Sequence, residues 1–169
     1  RGDGDILMDA ATIASLLPHA GAMVLLQRVE WWSAHAIACR TESHLARENP
    51  LRRQGRLSAS SGIEYAMQAA ALHGALAGGD PCQPAGSLAS LRDVVLHVDR
   101  LDDPRIGLLR IEARLERRER GAIHWAPHGR TTSIVTGKTW ATPVIRYRSG
   151  STWWSTRSRS RSSCWRTSS

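Results

Sequence analysis

The stretch Ser58 to Ala77 constrains this chain most. It is rich in alanine, contains Met67, Gln68, Leu72 and Leu76, and ends at Gly78-Gly79-Asp80-Pro81. Its length and composition predict a long helix. The helix is apolar around most of its circumference, so it needs cover on nearly every side rather than on one stripe.

The flanking text supplies the cover. Asp9 is placed to cap a short helix from Ala10 to Leu17, closed by Pro18. Met23 to Trp32 reads as a strand, Ala34 to Arg40 as its antiparallel partner, and a tight turn is expected near Ser33. Residues 43–57 are polar and hold Pro50 and Gly55, so they read as a loop. Leu88 to Leu101 reads as a further strand. From Gly107 to Arg117, Leu109, Ile111, Ala113 and Leu115 alternate with Arg110, Glu112, Arg114 and Glu116, the period of a half-buried strand. The predicted class is α+β, with a long central helix wrapped by an antiparallel sheet.

The net charge of +8 is unevenly spread. Residues 1–122 carry fifteen basic and fifteen acidic side chains and are neutral; the excess lies in residues 123–169, with eight basic residues and no acid. A basic body that would attract nucleic acid is therefore absent, and no nucleic-acid partner is expected. No apolar run is long enough for a membrane span. Cys39, Cys82 and Cys164 are too widely separated for a metal motif and too few for a disulfide framework, which points to a reducing, cytoplasmic setting and no metal site.

Residues 1–122 are read as the main part of one domain, and 123–169 as an atypical tail. Ser149 to Ser169 contains nine Ser, four Arg and three Trp, a composition with little capacity for a core. The expectation is either a shifted reading frame near residue 123 or one irregular strand, over Ile134 to Val144.

Several motifs carry a family likeness. Leu16-Leu17-Pro18-His19, followed by Met23-Val24-Leu25-Leu26-Gln27-Arg28-Val29-Glu30, resembles the opening of the 3-hydroxyacyl-(acyl carrier protein) dehydratases of the hotdog superfamily. The helix Gly62 to Ala70 resembles theirs, in which Glu is followed four residues later by Gln. Asn49-Pro50-Leu51-Arg52, Gly55-Arg56-Leu57, Ile63-Glu64-Tyr65, Gln68 and His73-Gly74-Ala75-Leu76 are similar to a divergent branch, the dehydratase-like proteins of aryl-polyene and related pathways. The likeness covers residues 10–122 and implies a hotdog fold.

The resemblance also implies a site. Glu64 matches the acidic member of the catalytic pair and Gln68 the helix glutamine; Ala59 falls on the glycine whose backbone amide polarises the thioester carbonyl. The family's catalytic histidine would fall on Pro50, and His44 is the nearest histidine upstream, so it is the candidate partner of Glu64, contributed across a dimer. His19 matches a histidine that is not the catalytic one. No cofactor is implied beyond the phosphopantetheine arm of the carrier protein that bears the substrate.

The residues themselves leave alternatives open. Glu64 could remove or return a proton in dehydration, but Ser61-Gly62-Ile63-Glu64 also reads as a capping box that merely starts the helix. Arg47, Arg52, Arg53 and Arg56 would suit docking of an acidic acyl carrier protein, or form a solvated loop. His73 lies on the helix face opposite Glu64 and reads as packed or interfacial. Three functions follow: a dehydratase of fatty-acid or polyene type; a non-catalytic subunit that binds carrier or completes another dehydratase; and an acyl-thioester hydrolase. A homodimer, or a heterodimer with another hotdog subunit, is the expected assembly.

Overall fold

The computed structural model describes the backbone of residues 8–78, 92–119, 122–125, 132–136, 143–148 and 152–153, and the side chains of residues 8–77 and 95–115. The chain begins with helix α1 (Ala10–Leu16), started by Asp9, whose carboxylate accepts the Thr12 N–H at 2.9 Å. Strands β1 (Arg28–Trp32) and β2 (Ala36–Thr41) follow as an antiparallel hairpin. Their turn is closed by Ser33 N–H donating to Ala36 O at 2.8 Å. The long helix α2 (Gly62–Gly78) is entered through a 3₁₀ turn at Ala59–Ser61. After it come β3 (Arg92–Leu96), β4 (Leu109–Glu119), β5 (Ala122–Trp125), β6 (Thr132–Thr136), β7 (Pro143–Arg148) and β8 (Thr152–Trp153).

The sheet is antiparallel in order β1-β2-β4-β6-β7-β3, with β5 paired to β4 and β8 to β5. Helix α2 packs chiefly on β4 and β2. The alternation in β4 falls as its pattern requires: Leu109, Ile111 and Ala113 are buried, and Arg110, Glu112 and Arg114 are partly exposed. On the helix, Ala66, Ala69 and Ala70 are buried, and their small side chains let it lie close to the strands. Tyr65 and Leu72 fill the space beside them. Complete burial of Leu72 contributes about 2 kcal/mol by removing its apolar surface from water.

On the outer sheet face, register sets Arg28, Arg40 and Arg110 side by side across three strands. Glu30 pairs with both Arg40 and Arg110, and Glu112 with Arg110, so much of this row is neutralised locally.

Two expectations shift. The single strand expected over 134–144 is replaced by β6 and β7, which pair with each other. Pro143 stands at the first position of β7, where a residue without an N–H is tolerated, and it could not sit inside one continuous central strand. The strand expected from Leu88 to Leu101 is observed as Arg92–Leu96; residues 79–91 lie outside the described residues. Of the Ser/Arg/Trp-rich end, only Thr152–Trp153 is described. Among the described residues no helix is long and apolar enough to cross a membrane.

Candidate active site

Helix α2 carries a carboxylate that meets two partners. Glu64 Oε1 lies 3.2 Å from His19 Nε2 and accepts from Gln68 Nε2 at 3.1 Å. The side chains of His19 and Glu64 retain 27% and 33% of their exposure, so the pair is sheltered but reachable. Both contacts fall on Oε1, which leaves Oε2 without a protein partner among the described residues.

The local sequence explains how two segments 45 residues apart in sequence meet here. Pro18 follows the end of α1, and Gly21 adopts a left-handed φ of 57° that starts a 3₁₀ turn at Gly21–Met23. Space is open where a Cβ would project from Gly21, so the φ angle is what calls for glycine. The turn delivers Met23 and Leu25 to Gln68. That side chain donates to Met23 O at 2.7 Å and accepts the Leu25 N–H at 2.9 Å, imitating a backbone peptide beside an extended chain. The same amide thus fastens the His19 segment to α2 and orients Glu64 one turn earlier. Gln68 is completely buried, and its two N–H groups and its oxygen are all engaged.

The capping alternative for Glu64 is not what forms. The Ser61 N–H is taken by Ser58 O at 3.0 Å, and Ser58, not Ser61, caps the 3₁₀ turn with its side chain. The Ala59 amide, expected to face a thioester carbonyl, donates instead to Asp99 O at 3.1 Å, and Ala59 is buried. It sits in a short ladder in which Leu101 N–H also donates to Leu57 O.

Within the single chain, the His44 ring makes no hydrogen bond to Glu64. It lies in a 3₁₀ turn (Ser43–Leu45), fully buried, and neither ring nitrogen makes a hydrogen bond of normal geometry. Burial pushes its pKa down to about 4; the Gly107 backbone opposes this, Arg52 adds to it and Asp102 opposes it. The ring is therefore neutral near pH 7. His73 is buried on the far side of α2, with Nε2 2.8 Å from Ser33 O, which ties the helix to the β1–β2 turn. The Cys39 thiol is buried and its pKa is pushed up by desolvation and by Glu30, so it is not a reactive thiolate.

The four arginines separate into two kinds. Arg52 donates to the carbonyls of Ala46 (2.7 Å), Gly55 (2.9 Å), His44 (3.2 Å) and Leu45 (3.3 Å), and to Asp102 Oδ2 at 2.7 Å. It is the clamp of the loop before α2 and has no donor left for a ligand. Asp102 is buried between Arg52 and Arg100; the hydrogen bonds from Arg100 above all hold its pKa well below the usual carboxylate range. Arg47, Arg53 and Arg56 are exposed.

Behind the loop, Tyr65 OH accepts from Asn49 Nδ2 at 2.8 Å and lies 3.0 Å from Ser43 Oγ. Burial raises the Tyr65 pKa, so the phenol serves as a fixed neutral partner. This network holds the loop against α2 without a histidine at position 50.

Comparison with known proteins agrees with this architecture. The model of the ApeP-like family, described as ApeP dehydratase, matches residues 11–128. No curated protein matches the chain. Among solved structures, the dehydratase heterocomplex ApeI:P from Xenorhabdus doucetiae is similar, with a TM-score of 0.67 at 20% identity, over 83% of this chain and 90% of that chain. At that identity the likeness speaks for the fold, which is the hotdog fold.

Proposed function

Because the chain belongs to the ApeP-like dehydratase family, we propose that it removes water from 3-hydroxyacyl thioesters carried by an acyl carrier protein, with Glu64 and His19 as its proton-handling pair. The observation that carries this reading is the 3.2 Å contact between His19 Nε2 and Glu64 Oε1, with Oε2 left open. In the reaction, the α-carbon gives up a proton and the β-carbon gives up its hydroxyl, and the two leave as water. Glu64 Oε2 takes the α-proton. His19 and Gln68 hold the carboxylate in place, and the His19–Glu64 pair returns the proton to the departing oxygen. A positioned acid/base of this type contributes about a hundredfold to ten-thousandfold in rate.

The active form in this reading is a complex with a second hotdog subunit. Val95 and Leu96 are neighbours on β3, point to opposite faces, and are both 45% exposed. Among the described residues, strand β3 ends the main run of the sheet, so an added sheet edge would cover both. The structural neighbour is itself a dehydratase heterocomplex. The commitment of the Ala59 amide to Asp99 favours a second reading, in which the partner holds the whole catalytic site and this chain is its non-catalytic subunit.

The test is conversion of a 3-hydroxyacyl carrier thioester to the enoyl product, by the chain alone and with candidate hotdog partners. Turnover that falls at least a hundredfold in Glu64→Gln and in His19→Asn, in correctly folded proteins, supports the first reading. Full turnover in both variants, once a partner is present, supports the second. Release of free thiol without enoyl product identifies a hydrolase.

A further inference from the structure

We infer that the hairpin from Arg53 to Arg56 is the docking point for the acidic carrier protein, an assignment that rests on the carrier-thioester reading above. Arg53 N–H donates to Arg56 O at 2.8 Å, and Arg56 N–H to Arg53 O at 3.0 Å. The two central residues, Gln54 and Gly55, have φ of 52° and 73°, the pattern of a type I′ turn. Such a closed antiparallel pair sets its two residues directly opposite, with Cα atoms about 5.5 Å apart and side chains on one face. Two guanidinium groups are therefore presented side by side.

Exposure, free charge and a rigid closed turn combine in this pair. Arg53 and Arg56 are both exposed and, like Arg28, Arg47 and Arg114, make no ion pair among the described residues, whereas Arg40, Arg52, Arg100, Arg105 and Arg110 each hold a carboxylate; of the arginines without an ion pair, only Arg53 and Arg56 are joined as a closed hairpin pair that precedes α2. Like charges held opposite one another repel, and an anion laid across them relieves the repulsion. The pair is also held rigidly. Arg52 grips Gly55 O, and Leu57, the next residue, is buried and bonded to Leu101. The turn keeps a non-glycine residue at positive φ, a conformation that L residues adopt at a cost. A preorganised cationic fork loses little freedom on binding.

Its place in the fold matches the task. The hairpin runs through Leu57 and Ser58 directly into the start of α2, and Glu64 follows eight residues after Arg56. A carrier held there would present its substrate arm beside the helix that bears the carboxylate. Among the four arginines that precede α2, the geometry assigns docking to Arg53 and Arg56 and gives Arg52 to the architecture.

The test titrates a purified holo-acyl carrier protein onto the chain and its hotdog complex, for the wild type, R53E/R56E and R53Q/R56Q. The expected result is at least tenfold weaker binding for the reversal and a smaller loss for the neutral pair. Wild-type affinity should fall between about 50 and 300 mM salt, while that of the reversal changes little. Wild-type affinity retained in both variants, or no carrier binding by the wild type, overturns the assignment. A free pantetheine 3-hydroxyacyl thioester separates the two readings. If it is dehydrated while R53E/R56E binds carrier normally, docking fails and catalysis stands. If carrier binding is lost as expected but no thioester is dehydrated, the fork stands and the catalytic reading falls.

Discussion

Replacing His44 with methionine should make the protein more resistant to acid, by an amount that the buried ring sets. His44 is fully buried, its ring nitrogens lack regular hydrogen bonds, and its pKa is about 4 in the fold against an ordinary 6.5. The unfolded chain therefore binds a proton as pH falls through 6.5, while the folded chain refuses it until about pH 4. The folded state loses stability across that window and keeps it all above 6.5. Linkage gives a loss of about 1.4 kcal/mol at pH 5.5 and about 2.5 kcal/mol at pH 4.5, relative to neutral pH. Methionine has similar bulk, cannot titrate and needs no hydrogen bond, so at pH 7.5 His44→Met should lie within about 1 kcal/mol of the wild type. Urea unfolding followed by tryptophan fluorescence, at pH 7.5, 5.5 and 4.5, reads the difference. Asp102 and Asp103, both with lowered pKa values, are shared by the two proteins and titrate mainly below this window. A difference between wild type and variant that stays constant from pH 7.5 to 4.5 would show that the buried His44 ring does not set the acid sensitivity.

Other substitutions probe the supports of the site. Arg52→Met strips donors from four carbonyls and leaves Asp102 with Arg100 as its one ion-pair partner, and should cost about 3 kcal/mol in chemical denaturation. Gln68→Leu removes the partners of the Leu25 N–H and Met23 O, and should cost about 2–3 kcal/mol and lower turnover as His19 drifts from Glu64. Gln54→Gly relieves the left-handed residue of the hairpin, and thermal melting should show a gain of about 0.5–1 kcal/mol.

The fold was legible where the signals are periodic. Strand β4 announces itself by strict alternation, and α2 by its length and alanine content, because both patterns follow directly from backbone geometry. The β1–β2 hairpin and the Asp9 cap are equally local. The site was legible only in part. Glu64 and Gln68 share a helix face at a spacing of four, so their contact follows from the sequence once the helix is accepted. The approach of His19 does not, because it depends on the turn at Gly21 and on Gln68 catching Met23 and Leu25. The capping-box pattern misled, since a 3₁₀ turn at Ala59–Ser61 places the cap at Ser58. The four loop arginines look alike in the sequence; what distinguishes Arg52 is Asp102, fifty residues away. His44 is the nearest histidine upstream in sequence, and its complete burial in the Ser43–Leu45 turn is a tertiary outcome that a polar loop does not announce.

In the proposed reaction Glu64 moves the α-proton of a carrier-bound thioester. Deuterium incorporation at the α-carbon, measured by mass spectrometry on a 3-hydroxyacyl carrier thioester incubated in D₂O with the chain and its hotdog partner, tests it most directly. Incorporation is expected with the wild type, and its loss, by at least a hundredfold, in a folded Glu64→Gln variant. Incorporation at the wild-type rate in that variant would contradict that role.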